Sequence, residues 1–153
     1  MNKKAQFYII TAVVLLVMTY GFFSPKLKYE TDSTFRGLYE NYLKEAPFAA
    51  NTGNLEDFTR KFVEYGNTKE PNFGIAYLYI QSGDMTALNM IKKTIYINDR
   101  QLEFNNSLVA EKENSTTITF NGNQYVLNTS DSPQVKALFY SESGNSKKVY
   151  TNG

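Results

Sequence analysis

Between Lys4 and Lys26 no side chain carries a charge. Within that stretch, Ala5 to Phe23 has only Gln6, Thr11 and Thr19 as mildly polar members. Ile9, Ile10, Val13, Val14, Leu15, Leu16 and Val17 leave it without a polar face. A helix that is apolar all round belongs in lipid or deep inside a large core. About 20 such residues cross a hydrocarbon layer of roughly 30 Å, and this run has that length. A cleaved secretory signal is the competing reading, with Lys3 and Lys4 as its basic start. Such a signal has an apolar region of about 7–15 residues ending at a small-x-small site. Here the run continues through Phe22 and Phe23 into Ser24-Pro25 without one, which favours an uncleaved span. Residues 1–25 are therefore expected to form a membrane anchor or signal-like stem, and residues 26–153 an extracytoplasmic head. Membrane lipid is the first expected partner. Lys3 and Lys4 hold the N-terminus in the cytoplasm, while Lys26 and Lys28 reduce the contrast across the span.

The front of the run, "KKAQFYII", places two lysines and a small residue directly before a glutamine. This resembles the class III signal of archaeal type IV pilins, in which cleavage falls just before the glutamine. Tyr8 and Ile10 stand where that pattern has a small hydroxyl residue and an acid. The resemblance implies a processing site between Ala5 and Gln6. The apolar stem would then survive as the start of the mature chain, where it would join copies into a homo-oligomer.

The chain of 153 residues has the length of one domain plus an appendage. It contains no cysteine, histidine or tryptophan. Disulfides are thereby excluded, as are the usual ligands of zinc, copper and haem and the commonest general base near neutral pH. A hard oxygen site for calcium or magnesium stays open. Lys3 and Lys4 precede the run, so 14 of the 16 Lys+Arg lie beyond it, against all 15 Asp+Glu, a balance of −1. No basic stripe of the kind that tracks nucleic acid appears, and no nucleic-acid partner is expected. Glu56-Asp57 and Glu111–Glu113 lack the spacing of a calcium loop. Ser130, Ser132 and Ser141 have no histidine to activate them. Lys136 is a conceivable partner for a serine, though nothing singles it out. No catalytic residue, cofactor or metal site is expected, and the ligand is unknown.

Beyond Ser24-Pro25, where a break is expected, the pattern is helical. Phe35, Leu38, Tyr39, Tyr42, Leu43 and Ala46 fall on one face of a helix. Asp32 or Ser33 would cap it and Pro47 would end or kink it. The stretch "NLEDFTRKFVEYGN" predicts a second helix with Asn54 as N-cap, an inner face of Leu55, Phe58, Phe62 and Val63, and Gly66 just past its end. From Phe73 the period changes. Phe73, Ile75, Tyr77 and Tyr79 share one strand face and are placed in the core, and Ser82-Gly83-Asp84 turns the chain. Ile95–Ile97 runs into Asn98-Asp99, with Leu102 and Phe104 returning. In "TTITFNGNQYVL", Asn121-Gly122 is the preferred pair for a type I′ turn between strands. Val135–Ser141, a Ser-Gly-Asn turn and a short return strand complete the chain. The fold class is α+β: the N-terminal transmembrane helix, two helices, then an antiparallel β-sheet of about six strands.

Three sequons, at Asn105, Asn114 and Asn128, fall in expected connections and are candidates for N-glycosylation. Roughly two or three would arise by chance in so Asn- and Ser/Thr-rich a chain. The 12 Tyr and 11 Phe are mostly explained by strands and core, with a sugar- or partner-binding aromatic face as the lesser reading. Taken together, the basic-small-Gln start, the stem, the helix ending near Gly66, "KEPNFGIAYLYIQSGD" and "ITFNGNQYVL" resemble a set of small archaeal membrane-anchored proteins. That group has no established activity, so the resemblance implies location and architecture. Pilins share the plan of an apolar N-terminal helix carrying an antiparallel sheet. The expected function is a single-pass anchored surface protein with that plan, or alternatively a monomeric anchored binding module of the envelope.

Overall fold

The computed structural model describes residues 30–152, residue 131 excepted. The expectations for the stem, its orientation and the Ala5–Gln6 site lie outside the described residues. Among those residues no helix is long and apolar enough to cross a membrane.

Two helices come first, α1 (Glu30–Asn51) and α2 (Leu55–Asn67). Nine strands follow: β1 (Gly74–Gln81), β2 (Asp84–Asn89), β3 (Ile95–Ile97), β4 (Arg100–Leu102), β5 (Ser107–Glu111), β6 (Ser115–Phe120), β7 (Asn123–Asn128), β8 (Gln134–Ser143) and β9 (Ser146–Thr151). They form two antiparallel sheets, not one of six strands. The central sheet has the order β5-β2-β1-β8-β9 and the outer sheet the order β4-β3-β6-β7. The chain leaves the central sheet after β2, at Asn89. This buried amide donates to the carbonyls of Lys93 and Leu102 and accepts from the Ile91 amide. Those bonds satisfy the backbone that the crossing strips from the ladder.

The central sheet is covered on both faces. The helices bury Phe35, Leu38, Tyr42, Ala46, Ala49 and Ala50 of α1 and Leu55 and Val63 of α2 against Ile75, Tyr77, Leu88, Ala137 and Phe139. The opposite face buries Ala76, Leu78, Ile80 and Leu138 against Ile95, Ile97, Ile118, Phe120 and Leu127 of the outer sheet. The expected placement of Phe73, Ile75 and Tyr77 in the core holds, with Tyr79 half-buried at its margin.

Three details of the helices differ from expectation. Helix α1 is already formed at Glu30, so Asp32 and Ser33 lie within it rather than capping it. Pro47 does not end it, since the helix runs on to Asn51. Proline in a helix interior costs about 3 kcal/mol, mainly through the lost amide bond and ring clash. Pro47 faces solvent, while Ala46, Ala49 and Ala50 on either side of it are buried against the sheet, and that packing holds the last turns in place. Gly66 lies inside α2, not beyond it. A Cβ there would stand 2.2 Å from Cδ1 of Phe73, so this glycine serves close approach rather than a helix stop. Asn54 is at the N-cap as expected, yet its side chain makes no capping bond.

The turns follow the sequence closely. Asn121 (φ 50°) and Gly122 (φ 77°) form the two-residue turn between Phe120 and Asn123, both left-handed as a type I′ turn requires. Ser82-Gly83 and Asn98-Asp99 repeat that pattern.

Candidate functional site

The helices do not cover the whole of their sheet face. On the rung where Tyr77 pairs with Leu88 and Ala137, all three side chains are buried. One rung further along, Tyr79 pairs with Val135 on one side and Thr86 on the other, and Thr86 pairs with Val109. Here Val135, Tyr79 and Thr86 are half-buried, and Val109 is 68% exposed. The next rung, Gln81, Asp84 and Glu111, is polar and exposed. An apolar shelf thus crosses four strands between a sealed core and a charged rim.

At the β8 end the shelf deepens into a notch of about 310 Å³ beneath the second half of α1. Leu43, Pro47 and Ala50 form its roof, and Tyr79, Pro133 and Val135 its floor. Asn51, Gln134 and Asn152 add amides at the rim. Asn152 is held in place: it donates to the Val135 carbonyl at 3.0 Å and accepts from the Ala137 amide at 2.6 Å. The Tyr79 hydroxyl donates to Gln81 at 3.0 Å, which fixes the ring as a floor. A flat apolar or ring-shaped group fits such a site, with amides to bond its edges.

Two polar networks lie elsewhere. Lys93 Nζ donates to the Tyr140 hydroxyl and to Glu142 Oε2, each at 2.7 Å, and the Tyr140 hydroxyl donates to the same carboxylate at 2.6 Å. The bonds from Lys93 and Tyr140 hold the Glu142 carboxyl down at about 2. The same carboxylate raises Lys93, while burial raises Tyr140. A phenol moved upward and fixed between two charges is poorly placed to act as a base near neutral pH. Glu70, buried, meets Lys148 at 3.4 Å and receives Ser141 Oγ at 3.4 Å. Burial raises the Tyr42 phenol far above its ordinary range where it bonds Thr59 at 2.8 Å. Tyr77 is pushed up to about 12 by burial and by the charge of Glu56.

The residues weighed in the sequence take these places. Ser141 is buried and also bonds the Pro71 carbonyl. Ser130 and Ser132 bond each other at 2.8 Å, and Lys136 Nζ donates to the Asn152 carbonyl. Glu56 pairs with Arg60, and Asp57 with Lys61. Among the described residues no group of three acidic side chains gathers as a metal cage would need. Asn105 and Asn114 lie exposed in connections, the carboxamide oxygen of Asn105 accepting from Arg60. Asn128 is the last residue of β7 rather than a loop residue. The notch was missed in the sequence because its walls come from residues 43–51, 79, 133–135 and 152. The only local signal was the pair of tyrosines on alternating positions of β1.

Compared with known proteins, the chain matches no protein-family model, no curated protein and no solved structure.

Proposed function

We propose that this chain is a single-pass, membrane-anchored surface protein with a pilin-like plan. Residues 1–25 are the stem and residues 26–153 an extracytoplasmic head, the N-terminus being cytoplasmic. The observation that carries the reading joins sequence to fold. Phe23, the end of the apolar run, lies only seven positions before Glu30, which is already in α1. That helix then packs along an antiparallel sheet. In this reading the stem also brings copies together.

Intact-mass and N-terminal analysis of the membrane-extracted protein tests it. A chain starting at Gln6 supports processing and assembly, and an intact Met1 supports simple anchoring. A chain starting beyond Phe23 overturns both. Replacing Phe7–Phe23 by an unrelated apolar span of equal length then separates them, since only an assembling stem loses its crosslinked oligomers.

The notch favours a second reading, an anchored binding module for an envelope component. The full chain should then bind isolated envelopes, and Tyr79→Ala should reduce that binding without changing membrane attachment. Equal binding by both proteins removes this reading.

A further inference from the structure

We propose that the free edge of β7 pairs antiparallel with the β7 edge of a second copy of this chain, joining two outer sheets into one. The contact lies in the head and is separate from any contact between stems.

Among the described residues the two sheets end in four edge strands: β5 and β9, β4 and β7. An open edge offers unpaired amides and carbonyls to any passing strand, and proteins blunt such edges with charge, shortness or proline. Three of the four are blunted. β9 carries Lys147 and Lys148, β5 ends in Glu111, and β4 has three residues including Arg100. β7 has six residues, Asn123–Asn128, with no charge and no proline. From Ser115 to Ser130, through both strands of its hairpin, no charged residue occurs.

The same comparison selects the occupant. A two-fold contact sets each surface against its own copy, so any charge on the edge is brought into the contact twice with the same sign. A β9 contact would bring four lysines together and a β5 contact two carboxylates, with no opposite charge on the strand to offset them, whereas a different partner could neutralise them. β7 alone pairs with itself without that repulsion. Its outward side chains are Gln124, Val126 and Asn128, with Val126 59% exposed. With the two-fold axis near Val126, the two valines meet across the new ladder, where cross-strand apolar pairs are favourable.

The chain has no cysteine, so single replacements report cleanly. Val126→Cys and Val109→Cys each place a thiol at an exposed site on an edge strand. The full-length protein is extracted in detergent and mildly oxidised. The expected result is a disulfide-linked dimer from Val126→Cys and little from Val109→Cys. Adding Gln124→Lys and Asn128→Lys together, which face one another across the axis and so set like charges opposite, should abolish the Val126→Cys dimer while leaving the thermal transition in place. Equal crosslinking at both positions, or none at Val126, overturns the proposal. So does a glycan on Asn128 of the native protein, which would cap the edge. The stem replacement described above keeps failures distinct. A Val126→Cys dimer that survives it supports the edge contact whatever becomes of the stem, and one that vanishes with it overturns the edge contact.

Discussion

The two faces of the central sheet solve the same packing problem with different residues. Toward the helices the core is aromatic. Phe35, Tyr42, Phe73 and Phe139 sit in it, joined at their margins by Tyr39, Phe58, Phe62 and Tyr150, mostly at tilted or edge-on angles. Toward the outer sheet it is aliphatic, with isoleucine and leucine on both sides and one ring pair, Phe120 with Tyr140. Two pleated surfaces interlock through branched side chains of similar height. A pair of cylinders on a sheet leaves deep wedges beside each helix, and rings fill these where a leucine would not reach. The helix layer therefore depends on a few large pieces and the sheet layer on many small ones.

The largest effect should come from removing one of the rings. Phe73→Ala is expected to cost ~3–5 kcal/mol, the range for a buried ring, measured by denaturant unfolding. Leu78→Ala, on the opposite face, should cost ~2–5 kcal/mol. The sharper contrast lies in gentler changes. Leu78→Met should cost less than about 1.5 kcal/mol, and Phe73→Leu distinctly more, because its wedge cannot close. Equal losses would show that shape does not separate the two layers.

Next come two glycines that act for different reasons. Gly66→Ala should destabilise by ~1–3 kcal/mol, because its new methyl must displace the Phe73 ring. Gly122→Val should cost a similar ~1–3 kcal/mol through left-handed backbone strain alone, since nothing lies near its Cβ. Combining Gly66→Ala with Phe73→Ala should recover part of the first loss, whereas Gly122→Val with Phe73→Ala should simply add. A smaller effect, ~0.5–1.5 kcal/mol, is expected from Ile118→Val in the many-piece layer.

The smallest effect concerns the Lys93–Tyr140–Glu142 network at the seam between β8 and the crossing to the outer sheet. Folding lowers Glu142 from 4.5 to about 2, so its contribution is complete above pH 4.5 and fades as pH falls toward 2. Lys93 is raised, so its share is complete below pH 10.5 and is lost above it as the amine deprotonates. Glu142→Gln should therefore lower Tm slightly at pH 7, with the difference from the parent protein shrinking below pH 4.5 and vanishing once pH has fallen through about 2. A constant difference between the two melting curves across that window would show that the charge is not what the network uses.

Much of the fold could be read where the chain speaks locally. The Asn121-Gly122 turn, the other tight turns and the faces of both helices need only neighbouring residues to decide them. The division into two sheets was hidden, although a clue was present. Ile75 to Ile80 is an unbroken run of apolar or aromatic residues, so the face made by Ala76, Leu78 and Ile80 is as apolar as the face assigned to the core. A strand buried on both sides reads in this way. Gly66 was misread because glycine near a helix end usually stops it, and only the position of Phe73 shows otherwise. The notch and the open β7 edge depend on which strands lie beside one another, and that is settled far along the chain.

The place of β1 at the centre of its sheet has a consequence in time. Its two neighbours form at very different moments: β2 follows through a two-residue turn, but on the other side Ala76 waits for Leu138. Pairings so distant in sequence slow the search for the native state. If the head is exported behind a stem whose N-terminus stays in the cytoplasm, as proposed above, its helices and β1 emerge while β8 is still inside. Until that strand arrives, the ring-lined wedge has no Phe139 to close it. Folding of this head is then timed by delivery of its C-terminal strands, and a partner that shields the nascent aromatic face would be needed for as long as transport lasts.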